Sequence, residues 1–102
     1  MAVAHTHACF TTASFHHENW HDVEPLIESW KALLQGLPGF VACELWIRRL
    51  SNGDVHCIIQ VVFEHREQLE GFLNSQWTPQ QVISSLDPAP YDIVIDHFEQ
   101  HI

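Results

Sequence analysis

The sequence predicts an α+β fold in which four strands and two long helices follow the order β-α-β-β-α-β. Residues 55–63 are rich in β-branched side chains and show little polar alternation, which is typical of a central strand covered on both faces. The Asn52-Gly53 pair before this strand is a strong hairpin signal, because both residues tolerate positive φ. From Glu64 the apolar spacing changes to a helical period, with a stripe at Leu69, Phe72 and Leu73.

The first third of the chain predicts one strand and one long helix. Residues 3–15 are apolar or β-branched without a helical period, so we expect a strand with His5 and His7 on one face. Asp22 is the expected N-cap of the helix, since Pro25 then falls in the first turn, where its missing N–H costs nothing. The helical stripe comprises Val23, Leu26, Ile27, Trp30, Leu33, Leu34 and Leu37.

The remaining elements complete a single sheet. Residues 40–50 alternate apolar and polar side chains, and we expect them to pair with residues 55–63 across the turn between them. Thr78-Pro79 predicts the start of a short third helix, and residues 91–98 form the last strand. Connection rules then favour a four-stranded antiparallel sheet with both long helices on one face, the ferredoxin-like arrangement.

Length and charge limit the possible functions. At 102 residues the chain is expected to be one domain, spanning residues 1–102. Its 13 acidic residues against 4 basic ones give a net charge of -9, which argues against binding to nucleic acids or anionic membranes. No apolar run is long enough to span a membrane, and the N-terminus lacks the pattern of a secretory signal. With three cysteines in predicted strands, we expect a cytoplasmic protein whose thiols are reduced and packed.

The sheet face away from the helices predicts a partner. This face is expected to carry apolar residues such as Ala8, Phe10 and Val94. An exposed apolar sheet face usually marks an interaction site. We therefore expect a homodimer that packs through this face.

Several segments resemble one protein superfamily. Four motifs resemble the stress-responsive dimeric α/β barrel (Dabb) family. They are VAHT at residues 3–6, VVFE at 61–64, LEGFL at 69–73 and IVIDHF at 93–98. LPGF at residues 37–40 resembles the antibiotic-biosynthesis monooxygenases, a neighbouring family. The resemblance covers nearly the whole chain in matching order. It implies a dimeric α/β barrel with a small-molecule pocket between the sheet and the helices.

Only some of the functional residues of these families have a matching residue in this sequence. His5 matches the Dabb histidine of the first strand, which lines the pocket, so the resemblance implies proton transfer at His5. The family's third-strand histidine falls at Cys57, and the tyrosine of its cyclases falls at Phe72, which has no hydroxyl. The family's later histidine pair falls in residues 74–78, which contain no histidine, and the monooxygenase tryptophan falls at Phe63. Cyclase chemistry as such is therefore not expected.

The predicted pocket combines histidines with an aromatic wall. His5 and His7 are expected to face the helices, with Cys57 and Phe63 beside His5, and an imidazole there can act as a general acid or base. The alternative is that both histidines are partly buried and bonded to backbone or water. Trp77 either stacks on a flat ligand or plugs the core. The wall is expected to consist of Trp30, Phe63, Phe72 and Trp77.

Nine histidines raise the question of a metal site. Two groups have permissive spacing, namely His97 with Glu99 and His101, and His16 with His17 and His21. Neither has the fixed loop spacing of a strong zinc motif, so we predict no metal and no cofactor.

Three functions remain open. The first is a cofactor-independent enzyme that binds a small apolar, aromatic or polyketide-like compound and uses His5 as general acid or base. A second is a cofactor-free monooxygenase of the antibiotic-biosynthesis type. The third is a non-catalytic stress or oligomerisation protein. Whether the chain is an enzyme at all stays open, and a cavity between sheet and helices would favour the first two.

Overall fold

The computed structural model describes residues 6–84 and 86–100 and confirms the predicted fold class. A short 3₁₀ turn at His17–Asn19 precedes the first helix. The strands are β1 (His7–Phe15), β2 (Phe40–Arg49), β3 (Val55–Phe63) and β4 (Tyr91–Glu99). The helices are α1 (Trp20–Leu34), α2 (Arg66–Leu73) and the short α3 (Pro79–Ile83), which begins after Thr78 as expected.

The four strands form one antiparallel sheet in the order β2-β3-β1-β4. β3 therefore lies between β2 and β1, as its apolar composition predicts. Phe63, the last residue of β3, lies opposite His7 on one side and Phe40 on the other. The β2–β3 turn contains Gly53 at a φ of 91°, a conformation that favours glycine.

The hydrophobic core lies between the sheet and the two longer helices. Alternate residues of β1 and β3 point to this side and are buried, as period-2 alternation requires. The helices bury the matching stripes, so both pack on the same sheet face. The core residues of the sheet are Cys9, Ala13, Phe15, Cys43, Val55, Cys57, Ile59, Val61 and Phe63, and those of the helices are Val23, Ile27, Trp30, Leu34, Leu69, Phe72 and Ile83.

The start of α1 differs from the prediction. The helix begins at Trp20, so Asp22 lies in its first turn and the prediction that Asp22 caps it is wrong. The chain enters α1 through the 3₁₀ turn, in which the Asn19 N–H donates to the His16 carbonyl at 2.9 Å. The Asn19 side chain also donates to the Pro88 carbonyl at 2.7 Å. This long-range bond favours the early start, and the local sequence gives no sign of it.

The helices leave β4 uncovered. Ile93 and Ile95 point to the helix side of the sheet, yet each remains 37% exposed. On the opposite side, Val94 and Phe98 are more than half exposed. β4 thus exposes apolar side chains on both faces.

A buried carboxylate joins three segments at one end of the sheet. Asp54 accepts hydrogen bonds from the Tyr91 hydroxyl at 2.6 Å, the His17 backbone N–H at 3.0 Å and the Asn52 amide at 3.1 Å. It therefore connects the β1–α1 connection, the β2–β3 turn and the start of β4. These bonds lower the pKa of Asp54 to about 2, and the bond from Tyr91 has the largest effect.

We expect this carboxylate to make the fold acid-sensitive. Because folding lowers the pKa of Asp54, its contribution is fully present above the ordinary carboxyl pKa of about 4 and is lost as the pH falls toward 2. Asp54→Asn should flatten the fall in unfolding free energy between pH 5 and pH 2, measured by urea titration with circular dichroism. Glu24→Gln on the exposed side of α1 is the control and should keep the wild-type slope. Equal slopes in wild type and Asp54→Asn would contradict this role.

Candidate functional site

A cavity of about 230 Å³ opens between the end of the sheet and the helices. Its walls come from the α1–β2 connection, the end of β3, α2, and the α2–α3 connection. Three of the residues predicted to form the pocket, Phe63, Phe72 and Trp77, line it. The full described lining is Leu37, Pro38, Phe63, Gln68, Gly71, Phe72, Ser75 and Trp77.

The floor of the cavity is aromatic. Phe63 and Phe72 are almost fully buried, and their ring centroids lie 5.4 Å apart. Trp30 lies behind Phe72 at 6.3 Å, and Phe40 meets Phe63 edge-on at 6.1 Å. Such tilted and edge-on pairs are the favoured aromatic geometries. The floor is therefore a rigid apolar surface suited to a flat ligand.

Gln68 supplies a polar group to the wall. It is the third residue of α2, and its Oε1 accepts the His65 backbone N–H at 3.2 Å. Because Oε1 accepts this bond, the other amide atom, Nε2, can donate an N–H to an oxygen atom in the cavity. Gly39 makes room for this side chain, because a Cβ there would overlap the Gln68 amide, and its φ of 76° also favours glycine.

Trp77 closes one side of the cavity. Its carbonyl accepts the Trp30 indole N–H at 2.6 Å, and its own N–H donates to Ser75 Oγ at 3.1 Å. Ser75 Oγ in turn donates to the Phe72 carbonyl at 2.6 Å, so its hydroxyl is occupied. The Trp77 side chain remains 39% exposed. The backbone of this connection is thus fixed while the indole lies at the surface.

A second, smaller cavity adjoins the first. It measures about 140 Å³ and is lined by Leu33, Leu34, Leu37 and Trp77. Leu37 and Trp77 line both cavities.

Of the two predicted pocket histidines, the structure describes only His7. His5 lies outside the described residues. His7, at the start of β1, is 9% exposed, and its Nδ1 lies 3.4 Å from Nε2 of His97 on β4. It is not among the cavity-lining residues.

Cys57 is also distant from the start of β1. It lies opposite Ala13, six residues along β1 from His7, because the antiparallel register places only the end of β3 beside the start of β1. Cys57 and Phe63 were expected beside His5, which lies outside the described residues. Of the two, Phe63 lies opposite His7 and Cys57 does not.

All three cysteines are buried in the core, as predicted. Burial raises the pKa of Cys43 to about 11 and that of Cys57 to about 12, and it also raises the pKa of Cys9. These thiols are consequently protonated near neutral pH. A protonated, buried thiol is a poor nucleophile and a poor metal ligand.

In the first candidate metal group, His16 and His17 both approach Asp54, with His16 Nδ1 3.9 Å from its carboxylate, and His21 pairs with a different carboxylate. His17 Nδ1 lies 3.2 Å from Asp54, whereas His21 lies 3.5 Å from Asp22. His101 lies outside the described residues. Within residues 6–84 and 86–100, no three His, Cys, Asp or Glu side chains are arranged to hold a metal ion. In the same part of the chain, no helix is long and apolar enough to cross a membrane.

Gln68, Ser75 and Gly71 were missed as lining residues. Gln68 lies off the apolar stripe of α2, and its position depends on contact with Gly39, 29 residues earlier in the chain. The segment 37–40, which resembles the monooxygenases, was the one available signal for Leu37 and Pro38.

Comparison with known proteins supports the fold. No family model matches the chain, and no curated protein matches it. Among solved structures, a protein of Deinococcus radiodurans assigned provisionally as an antibiotic biosynthesis monooxygenase superposes with a TM-score of 0.73 and 16% identity. That match covers 94% of this chain and 93% of the other.

Two further structures give the same result. An antibiotic biosynthesis monooxygenase superposes with a TM-score of 0.69 at 13% identity, covering 90% of this chain and 95% of the other. The heme-degrader MhuD of Mycobacterium tuberculosis, which holds two hemes in its active site, superposes with a TM-score of 0.64 at 13% identity. That match covers 94% of this chain and 96% of MhuD. The chain therefore has the fold of antibiotic biosynthesis monooxygenase structures, and the Dabb family remains a resemblance.

Proposed function

We propose that this protein binds a small, flat, mainly apolar ring compound that carries an oxygen acceptor. The aromatic cavity with one amide donor in its wall is the observation that supports this proposal. Phe63 and Phe72 offer a surface for the ring, and Gln68 Nε2 offers a hydrogen bond to a phenol or carbonyl oxygen. Specificity then comes from shape and from this single polar contact.

The cavity size limits the ligand. A cavity of about 150 Å³ holds benzene. A volume of about 230 Å³ therefore suits one or two fused rings. A heme has four pyrrole rings and exceeds this space.

We propose that His5 transfers a proton to or from the bound compound. The described lining of the cavity contains no ionisable side chain, so an acid or base has to come from another residue. His5 is the candidate that the Dabb resemblance implies. An imidazole suits this role because its ordinary pKa lies near neutrality.

A cofactor-free reaction with dioxygen is the second candidate. The structures that share this fold and are named antibiotic biosynthesis monooxygenases favour it. Here the base would convert a phenol to an electron-rich phenolate that reacts with dioxygen. For α-naphthol the balanced outcome is one naphthol and one dioxygen giving one para-naphthoquinone and one water.

We also propose that two copies pack through the open sheet face. This face is the side of the sheet opposite the helices. Phe10 and Phe98 meet edge-on there with centroids 5.3 Å apart. The apolar residues exposed on this face are Trp46, Ile58, Val94 and Phe98. Covering this surface would remove apolar area from water in both copies.

The location we propose is the cytoplasm. Three buried cysteines with no disulfide partner in the described chain support a reducing compartment.

The binding proposal predicts that Gln68→Leu weakens α-naphthol binding. Loss of one hydrogen bond should raise Kd about three- to tenfold, measured by isothermal titration calorimetry. Gln80→Leu on the exposed side of α3 is the matched control and should bind as wild type. If wild type does not bind α-naphthol, or if both variants bind equally well, the proposed site is wrong.

The catalytic proposal predicts that His5→Ala abolishes turnover without loss of fold. The measurement is naphthoquinone formation from α-naphthol under air, followed by absorbance and oxygen uptake. His7→Ala is the control, because His7 does not line the cavity, and it should retain activity. Full activity in His5→Ala ends the proposal for this residue. Binding without turnover in wild type would favour the non-catalytic alternative.

The dimer proposal predicts about twice the 11.8 kDa chain mass in analytical ultracentrifugation at micromolar concentration. Val94→Glu on the open sheet face should shift the protein toward monomer, because it buries a charge in the contact. Leu33→Glu, an equally exposed position on α1, should leave the mass unchanged. A wild-type monomer at this concentration contradicts the proposal.

A further inference from the structure

We propose that the Trp77 side chain is the specificity-determining partition that limits the ligand to two rings. Removing it would join the two cavities into one site for a three-ring compound. This inference rests on the proposed function of the larger cavity.

The shared lining supports a partition. Trp77 and Leu37 line both the 230 Å³ cavity and the 140 Å³ cavity. Leu37 belongs to the α1–β2 connection, and Trp77 belongs to the α2–α3 connection. The two side chains therefore stand where the cavities meet. Of the pair, the indole is by far the larger group, so it accounts for most of the barrier.

The composition of the second cavity indicates what kind of ligand the joined site would take. Apart from Trp77, its walls are the leucines Leu33, Leu34 and Leu37. The donor on Gln68 belongs to the first cavity alone. A compound that fills both spaces thus carries its oxygen at one end, near Gln68, and an unsubstituted apolar ring at the other.

The local structure allows the indole to be removed cleanly. The bonds that fix this connection use the Trp77 carbonyl and N–H, which every substitution except proline retains. The indole N–H makes no hydrogen bond to any residue that the structure describes. Because the side chain is 39% exposed, truncating it does not empty a sealed core position.

The test compares α-naphthol with the three-ring phenol anthrol by isothermal titration calorimetry. Wild type should bind α-naphthol more tightly than anthrol. In Trp77→Ala the ratio of anthrol Kd to α-naphthol Kd should fall about tenfold, the change expected when one more ring is buried. The ratio is the readout, because loss of stacking on Trp77 weakens both ligands together. Trp46→Ala, a tryptophan on the open sheet face, is the control and should keep the wild-type ratio.

A second variant guards against a folding defect. Trp77→Leu retains an apolar side chain, opens less space and should lower the ratio in the same direction. Circular dichroism and the thermal midpoint identify any unfolded variant. If wild type binds α-naphthol and the ratio stays unchanged in the folded variants, the partition is disproved and the proposed function stands. If no protein binds either phenol, the proposed function fails and the partition fails with it.

Discussion

The pairing of β3 with β1 and β2 is the interaction on which the rest of the structure depends. It fixes Phe63 between His7 and Phe40 at one end of the sheet. Just beyond β3, the Glu64 N–H donates to the Gly39 carbonyl at 2.8 Å and holds the α1–β2 connection against the end of the strand. The cavity forms there because strand end, connection and α2 meet around one aromatic residue.

Gly39 has a central role in this arrangement. Its carbonyl accepts the bond from Glu64, and its missing side chain leaves space for the Gln68 amide. Backbone pairing and the polar group of the cavity are therefore coupled through one residue. A glycine that reads as a turn signal in the sequence also shapes the site, because close approach requires the absence of Cβ.

The sequence predicted the features that depend on local periodicity. β3 and α2 were clear because their apolar spacing is strong, and this spacing also identified Phe63 and Phe72 as inward-facing residues. Apolar spacing did not predict the features that depend on contacts between residues distant in the sequence. The start of α1 depends on a bond from Asn19 to Pro88, and the position of Gln68 depends on Gly39. The distance of Cys57 from the start of β1 depends on the register between β1 and β3. None of these has a signal within a few residues.

Because the helices leave β4 uncovered, local stability differs between β4 and the rest of the sheet. Apart from its ladder to β1, β4 is held at its start by the bond from Tyr91 to Asp54, and most of its side chains are exposed, so we expect it to open at a lower free energy than the central strands. Opening it would expose the edge of β1, a template for unwanted strand addition. β4 lies at the edge of the sheet and contributes no residue to the described cavity lining, so substitutions on its exposed faces should change aggregation more than ligand binding.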